Sequence, residues 1–199
     1  MRKIDAIIIH HSASHWGDGD EIVRWHTTPK PKGNGWKVPG YHVVIGNQYP
    51  NYHSYSAKKP VASADGKVYR LVSEETVANG CYGANAHSLH VCLIGNFDLT
   101  EPTPQQYLKL WDIVTFWCKT YKLIYGRDVW GHGEMVQRLM NSGKPNGGPK
   151  SCPGLYFGKA PYGGSVAERL AETVARLLAV AKQHAQTSLC VPPGKTLKN

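Results

Sequence analysis

Three side chains able to bind a soft divalent cation stand where apolar runs stop and turns begin. His10 closes the run "AIIIHH", His132 sits between two glycines in "GHG", and Cys152 lies in the proline-flanked turn "GPKSCPG" at 148–154. In α/β sheets, functional side chains emerge at the ends of buried strands. Two imidazoles and one thiolate supply three zinc bonds and leave the fourth position to water, as in a hydrolytic site; a structural site is closed by four protein ligands. The three residues are far apart in the chain, and their types alone leave Cys152 open to three readings: an inert thiol, a redox-active one or a metal ligand. Lys150, two residues earlier, is on the same terms either a solvated loop lysine or a cation serving the same site.

The chain has ten histidines, and most need no special role. His15, His26, His53 and His184 read as surface or satisfied core residues. His11 should point to the sheet face opposite His10, and His42 away from Tyr41, because strand side chains alternate. Glu134 either orients His132 as a supporting carboxylate or opens a helix. The five cysteines form no CxxC pair, and their odd count argues against a disulfide framework. Cys92 and Cys118 lie in apolar runs and read as small core residues.

The elements that must position these groups follow from periodicity and punctuation. "AIIIHH" is a buried strand. "GDGDEIVRWHTT" is a helix capped by Asp18 or Asp20. "YHVVIG" is a second strand, and residues 47–66 form a long irregular loop of the kind that often serves function. "KVYRLV" is a short strand after the Asp65–Gly66 turn. "LHVCLIGNF" is a third strand, apolar enough for the middle of a sheet. "TPQQYLKLWDIVTFWCKTYKL" is an amphipathic helix with Leu108, Trp111, Val114, Trp117 and Cys118 near its apolar side, and Gln106, Lys109 and Asp112 elsewhere. "DVWGHGE" is a brief strand followed by a turn, "NSGKPNGGPKSCPG" is a loop, and a final helix starts within "GGSVAERL". The expected fold is a single α/β domain over residues 1–184, a central mixed sheet flanked by helices, with 185–199 as a mobile tail.

The chain's 199 residues, 41% hydrophobic, suffice for one core. The net charge of +9 favours anionic surroundings such as nucleic acid, an acidic membrane or a cell-wall polymer. No basic cluster is interleaved with aromatics, so no specific nucleic-acid partner is expected. The N-terminal apolar run is too brief for a signal peptide and is interrupted by Asp5, and no stretch is long enough to span a bilayer, so membrane insertion is not expected. Synthesis in the cytoplasm follows, with any export by another route.

At the candidate ligands the sequence resembles the zinc-dependent N-acetylmuramoyl-L-alanine amidases, whose fold is shared by peptidoglycan recognition proteins and by the amidase-type lysozymes of bacteriophages. "IIIHHSAS" resembles the family's first strand, and "IVRWHTT" with the following "GW" its first helix and loop. "GYHVVIG" at 40–46 is similar to the segment carrying an active-site tyrosine, here Tyr41. "NAHSLHVCLIGNF" resembles the central strand, "GHGE" places His132 at the second ligand position, and "PKSCPG" places Cys152 at the third. The matches run in order from about residue 4 to 158.

The resemblance implies a Zn2+ ion held by His10, His132 and Cys152, and hydrolysis of the amide between N-acetylmuramic acid and L-alanine in peptidoglycan. Zinc would lower the pKa of water and polarise the carbonyl, Lys150 would stabilise the oxyanion, and Tyr41 would orient water or relay a proton. Asn85 and His87 fall in the stretch that helps form the substrate groove in relatives. The implied place of action is the periplasm or cell wall, as a phage endolysin released through another protein's pore, or as a secreted antibacterial effector with an immunity or inhibitor protein as partner. Rival readings are a non-catalytic peptidoglycan-binding module and a polymerase-binding regulator. Three departures from the family pattern bear on substrate preference: a longer 133–149 segment, a longer 47–66 loop, and "RLV" at 70–72 where relatives carry a glycine–arginine pair.

Overall fold

In the computed structural model, residues 2–148, 150–157 and 164–189 are described. Five strands, β1 (Ala6–His11), β2 (Val43–Ile45), β3 (Val68–Arg70), β4 (Ser88–Leu93) and β5 (Val129–Gly131), form one sheet in the order β3-β2-β4-β1-β5. The β2, β4, β1 and β5 strands run parallel, and β3 pairs antiparallel at the edge. β1 and β4 are buried at every residue, which suits central strands covered on both faces. The expected mixed sheet flanked by helices is the observed architecture.

Alternation divides the central strands into two faces. Ile7, Ile9, Leu89, Val91, Val43 and Ile45 pack into the main core with α3 (Pro104–Tyr121) and α5 (Val166–Leu189), through Leu110, Val114 and Trp117 of α3 and Val166, Leu170 and Val174 of α5. The other face carries two smaller apolar patches. One, around Ile8, lies under α4 (His132–Asn141) through Met135, Val136 and Leu139. The other joins Val44 and Cys92 to Ile22 of α1 (Gly19–Thr27). His10 lies on this second face, in register with Cys92.

The helix ends have clear causes. Asp18, of the two candidates, caps α1 by accepting the Glu21 N–H at 2.9 Å. Thr103 and Gln106 form a reciprocal capping box at the start of α3. Gln106, expected away from the apolar side, is buried. Its amide donates to the carbonyls of Ile45 at 3.3 Å and Ile94 at 2.9 Å, capturing backbone acceptors where β2 and β4 end.

Three regions differ from the sequence expectation. Residues 47–66 contain a short helix, α2 (Tyr52–Ser56), started by Asn51, which accepts the Ser54 N–H at 2.9 Å. The segment after Gly131 is the ten-residue α4 where a turn was expected. The last helix continues to Leu189, so residues 185–189 of the expected tail are helical; residues 190–199 of that tail lie outside the described residues.

Candidate metal centre

Three separate elements bring the cation-binding side chains together. His10 is the penultimate residue of β1 and is 1% exposed. His132 is the first residue of α4, directly after β5, whose Gly131 pairs with Ile9. Cys152 sits in a turn that is tied down on several sides. Its carbonyl accepts the Gly133 N–H at 2.7 Å. Asp98 accepts from the Ser151 hydroxyl at 2.8 Å and from the Leu155 N–H at 3.1 Å, while the Phe97 carbonyl accepts the Tyr156 N–H at 2.7 Å. Glycine is required at 133, because a Cβ there would lie 2.3 Å from the Lys150 carbonyl oxygen.

One donor atom each from His10, His132 and Cys152 lies within 4.8 Å of the others. Cys152 Sγ is 3.8 Å from His10 Nδ1, and the two imidazole centroids are 4.6 Å apart. Ligands at about 2.0–2.3 Å from one tetrahedral zinc are spaced by roughly 3.5 Å, so the sulfur–nitrogen pair is close to ligand spacing.

The electrostatics suit a cation. Burial, reinforced by His132 and other neighbouring imidazoles, holds His10 well below the ordinary histidine pKa. Burial, with help from the charge of Lys150, holds His132 at about 4. Both rings are therefore neutral near pH 7, with lone pairs free for a metal. Burial pushes the Cys152 thiol up to about 12, against the opposing pull of the His11 backbone N–H, which donates to the sulfur at 3.3 Å. A buried thiol of this kind gives up its proton to a bound cation. Two neutral nitrogens and one sulfur fit zinc by both chemistry and spacing.

The sequence profile of the N-acetylmuramoyl-L-alanine amidases matches residues 1–155. The chain belongs to this amidase family. No curated protein matches it by sequence. Among solved structures, it is similar to the N-acetylmuramoyl-L-alanine amidase LysC from Clostridium intestinale URNW, with a TM-score of 0.60 at 21% identity over 89% of this chain and 87% of that one. The Ph2119 endolysin of a Thermus scotoductus bacteriophage matches with a TM-score of 0.56 at 21% identity, over 87% and 86% of the two chains. Bumblebee PGRP-SA, a recognition protein, matches with a TM-score of 0.55 at 18% identity over 79% of each chain. At these identities the likeness is one of fold.

In this amidase the other candidate residues have diverse places. Tyr41 is half-buried just before β2, its ring centroid 4.9 Å from that of His10. Burial raises its pKa well above the ordinary tyrosine value, with further contributions from the nearby Cys92 and Cys152 sulfurs and from its hydrogen bond to Cys92, so the phenol keeps its proton. Lys150 is exposed, and its charge reaches both His132 and Cys152. Asn85 and His87 are not brought to the cluster. The Asn85 side chain accepts the Cys81 N–H at 2.6 Å and braces its own turn. His87 immediately precedes β4, five residues before the Cys92 that pairs with His10, which places it about 16 Å away along the strand.

Glu134 caps α4, and among the described residues its carboxylate has no hydrogen bond to His132. One of its oxygens accepts the Gly131 N–H at 2.6 Å and the other the Val166 N–H at 2.7 Å, joining the starts of α4 and α5. His11 points to the main core, where its Nδ1 accepts the Phe97 N–H at 3.0 Å. One residue at the centre escaped the sequence reading. His90, in the middle of β4, places its Nδ1 3.1 Å from His10 Nε2. Its place in the strand alternation, two residues before Cys92, was the available signal.

Proposed function

We propose that this amidase is a zinc-dependent peptidoglycan hydrolase that cuts the amide between the lactyl group of N-acetylmuramic acid and L-alanine. The observation that carries the reading is the convergence of His10, His132 and Cys152 from three elements, beside an exposed lysine. When bound, zinc supplies Lewis acidity toward the scissile carbonyl and a lowered pKa for the attacking water. The chain's own groups do the rest. His10 and His132 are kept neutral by burial and so remain donors at neutral pH. Lys150 holds a positive charge where the carbonyl oxygen becomes an oxyanion. Tyr41, kept protonated, serves as a hydrogen-bond donor to the reacting oxygens. A water oxygen becomes bonded to the carbonyl carbon, the carbon–nitrogen bond breaks, and the alanine amine leaves with a proton.

A recognition module without catalysis has no use for a complete set of donors, and here all three meet. The solved endolysins of similar fold support a lytic role at the cell wall. Among the described residues no helix is long and apolar enough to cross a membrane. The test is mass spectrometry of purified peptidoglycan after digestion. Free stem peptides beginning with L-alanine are expected, and they should vanish on chelation and in Cys152→Ser. Disaccharides with peptides still attached would identify a glycosidase instead, and binding without products would reduce the protein to a recognition module.

A further inference from the structure

We propose that His90 is the positioning residue of the metal centre, holding the His10 ring so that Nδ1 is the atom given to the metal. The inference rests on the zinc reading above and concerns which groups aim the ligand. The His10 ring has two nitrogens and both are committed. Nδ1 lies 3.8 Å from Cys152 Sγ, facing the cluster. Nε2 lies 3.1 Å from His90 Nδ1, facing away from it. With a cation on Nδ1, Nε2 carries the proton and donates it to His90. Ring nitrogens opposite a metal are commonly held in this way by a second group, which fixes both tautomer and ring orientation.

The sheet sets up the contact. His90 pairs with Ile8 and Cys92 with His10 in the parallel β1–β4 ladder, so both histidines rise from the same face on neighbouring strands. His90 is itself held in place. Its backbone N–H donates to His42 Nδ1 at 2.9 Å, and the His42 ring stacks on it with centroids 5.7 Å apart and planes 8° from parallel. Gly80 leaves the space that the ring occupies, since a Cβ there would fall 2.5 Å from His90 Nδ1.

Packing alone does not explain a histidine here. His90 is fully buried, and its Nε2 has no hydrogen-bond partner among the described residues. An aliphatic side chain would avoid that unmet nitrogen in the middle of a fully buried strand. The unmet Nε2 accompanies a ring whose other nitrogen serves His10.

The experiment compares wild type, His90→Leu and His90→Gln as full chains. Zinc affinity is read by competition with a chromogenic chelator, and melting temperature is read on the metal-free proteins. His90→Leu should bind zinc about 10–100-fold more weakly, with a metal-free melting temperature equal to or above wild type. His90→Gln, whose amide oxygen can accept from His10, should recover most of the lost affinity. Unchanged affinity in His90→Leu overturns the proposal. So does equal weakness of both variants, or a fall in metal-free melting temperature alongside the affinity, which would mark a packing role. Nitrogen-15 NMR of the zinc-loaded wild type gives a reading that needs no variant: coordination through His10 Nδ1 supports the proposal, and coordination through Nε2 overturns it. A wild-type protein that takes up no zinc defeats the metal reading itself, an outcome distinct from all of these.

Discussion

The two faces of the central strands follow different rules. On one, Ile7, Ile9, Leu89 and Val91 meet α3 and α5 in a continuous apolar layer. On the other, His10 and His90 stand between two smaller patches, one under α4 and one under α1. Neighbouring residues of one strand, about 3.3 Å apart, thus serve opposite ends. The mainly apolar face supplies cohesion. The other face, equally buried along the strands, carries polar rings that cohesion does not require.

That division can be broken by crossed substitutions. Lys150→Met should lower kcat by about 10²–10³-fold, the usual loss for one oxyanion-stabilising group, and leave the urea midpoint of the metal-free protein unchanged. Leu110→Ala, in the main core, should cost about 2–5 kcal/mol in urea unfolding, with specific activity per folded molecule retained. If the lysine variant unfolds early, or the leucine variant loses kcat while folded, the two faces are not separate in the sense argued here. Glu134→Ala should have a smaller effect, about 1.5–3 kcal/mol, because it removes a charged acceptor from two backbone N–H groups at once. Its zinc affinity, measured by chelator competition, should be unchanged.

Acidification should separate the faces more gently. Burial holds His26 and His42 at about 4 in the folded protein, whereas in the unfolded chain they titrate near 6.5. Between those values the unfolded chain binds more protons, so stability is lost as pH falls from about 6.5 toward 4, and the two histidines contribute nothing to the slope above about pH 7. The metal-free melting temperature should therefore drop by several degrees between pH 7 and pH 5. A flat profile would mean that these rings accept protons in place.

The parts of the molecule differ in how far they could be read from the chain. β1 and β4 were legible because continuous apolar runs bounded by turn formers have few other uses. α2 was hidden: "YHSYS" has no apolar stripe, and its start depends on one side-chain contact from Asn51. α4 was obscured by Gly133 near its start and by an apolar side of only Met135, Val136 and Leu139. Gln106 read as lying off the apolar side because a buried amide is recognisable only once the carbonyls it serves have positions. The same holds for His90. Its neighbours in sequence mark it as a strand residue, but its partnership with His10 comes from the pairing of two strands 80 residues apart. Cys152, Lys150 and His132 lay in turns rich in glycine or proline, where a reactive side chain has no packing duty to explain it. Asn85 and His87 lie beside the start of β4, away from His10, a position that their nearness to the strand in sequence did not specify.

Asp98, Phe97 and Gly133 clamp the chain on both sides of Cys152, whereas the Lys150 side chain extends into solvent. Sulfur and ammonium, two residues apart, therefore differ in how they are held: one is a clamped post and the other an exposed arm beside it. A substitution at 150 would leave every clamp on Cys152 in place, so the length and charge of the side chain beside the sulfur can vary without moving the sulfur itself.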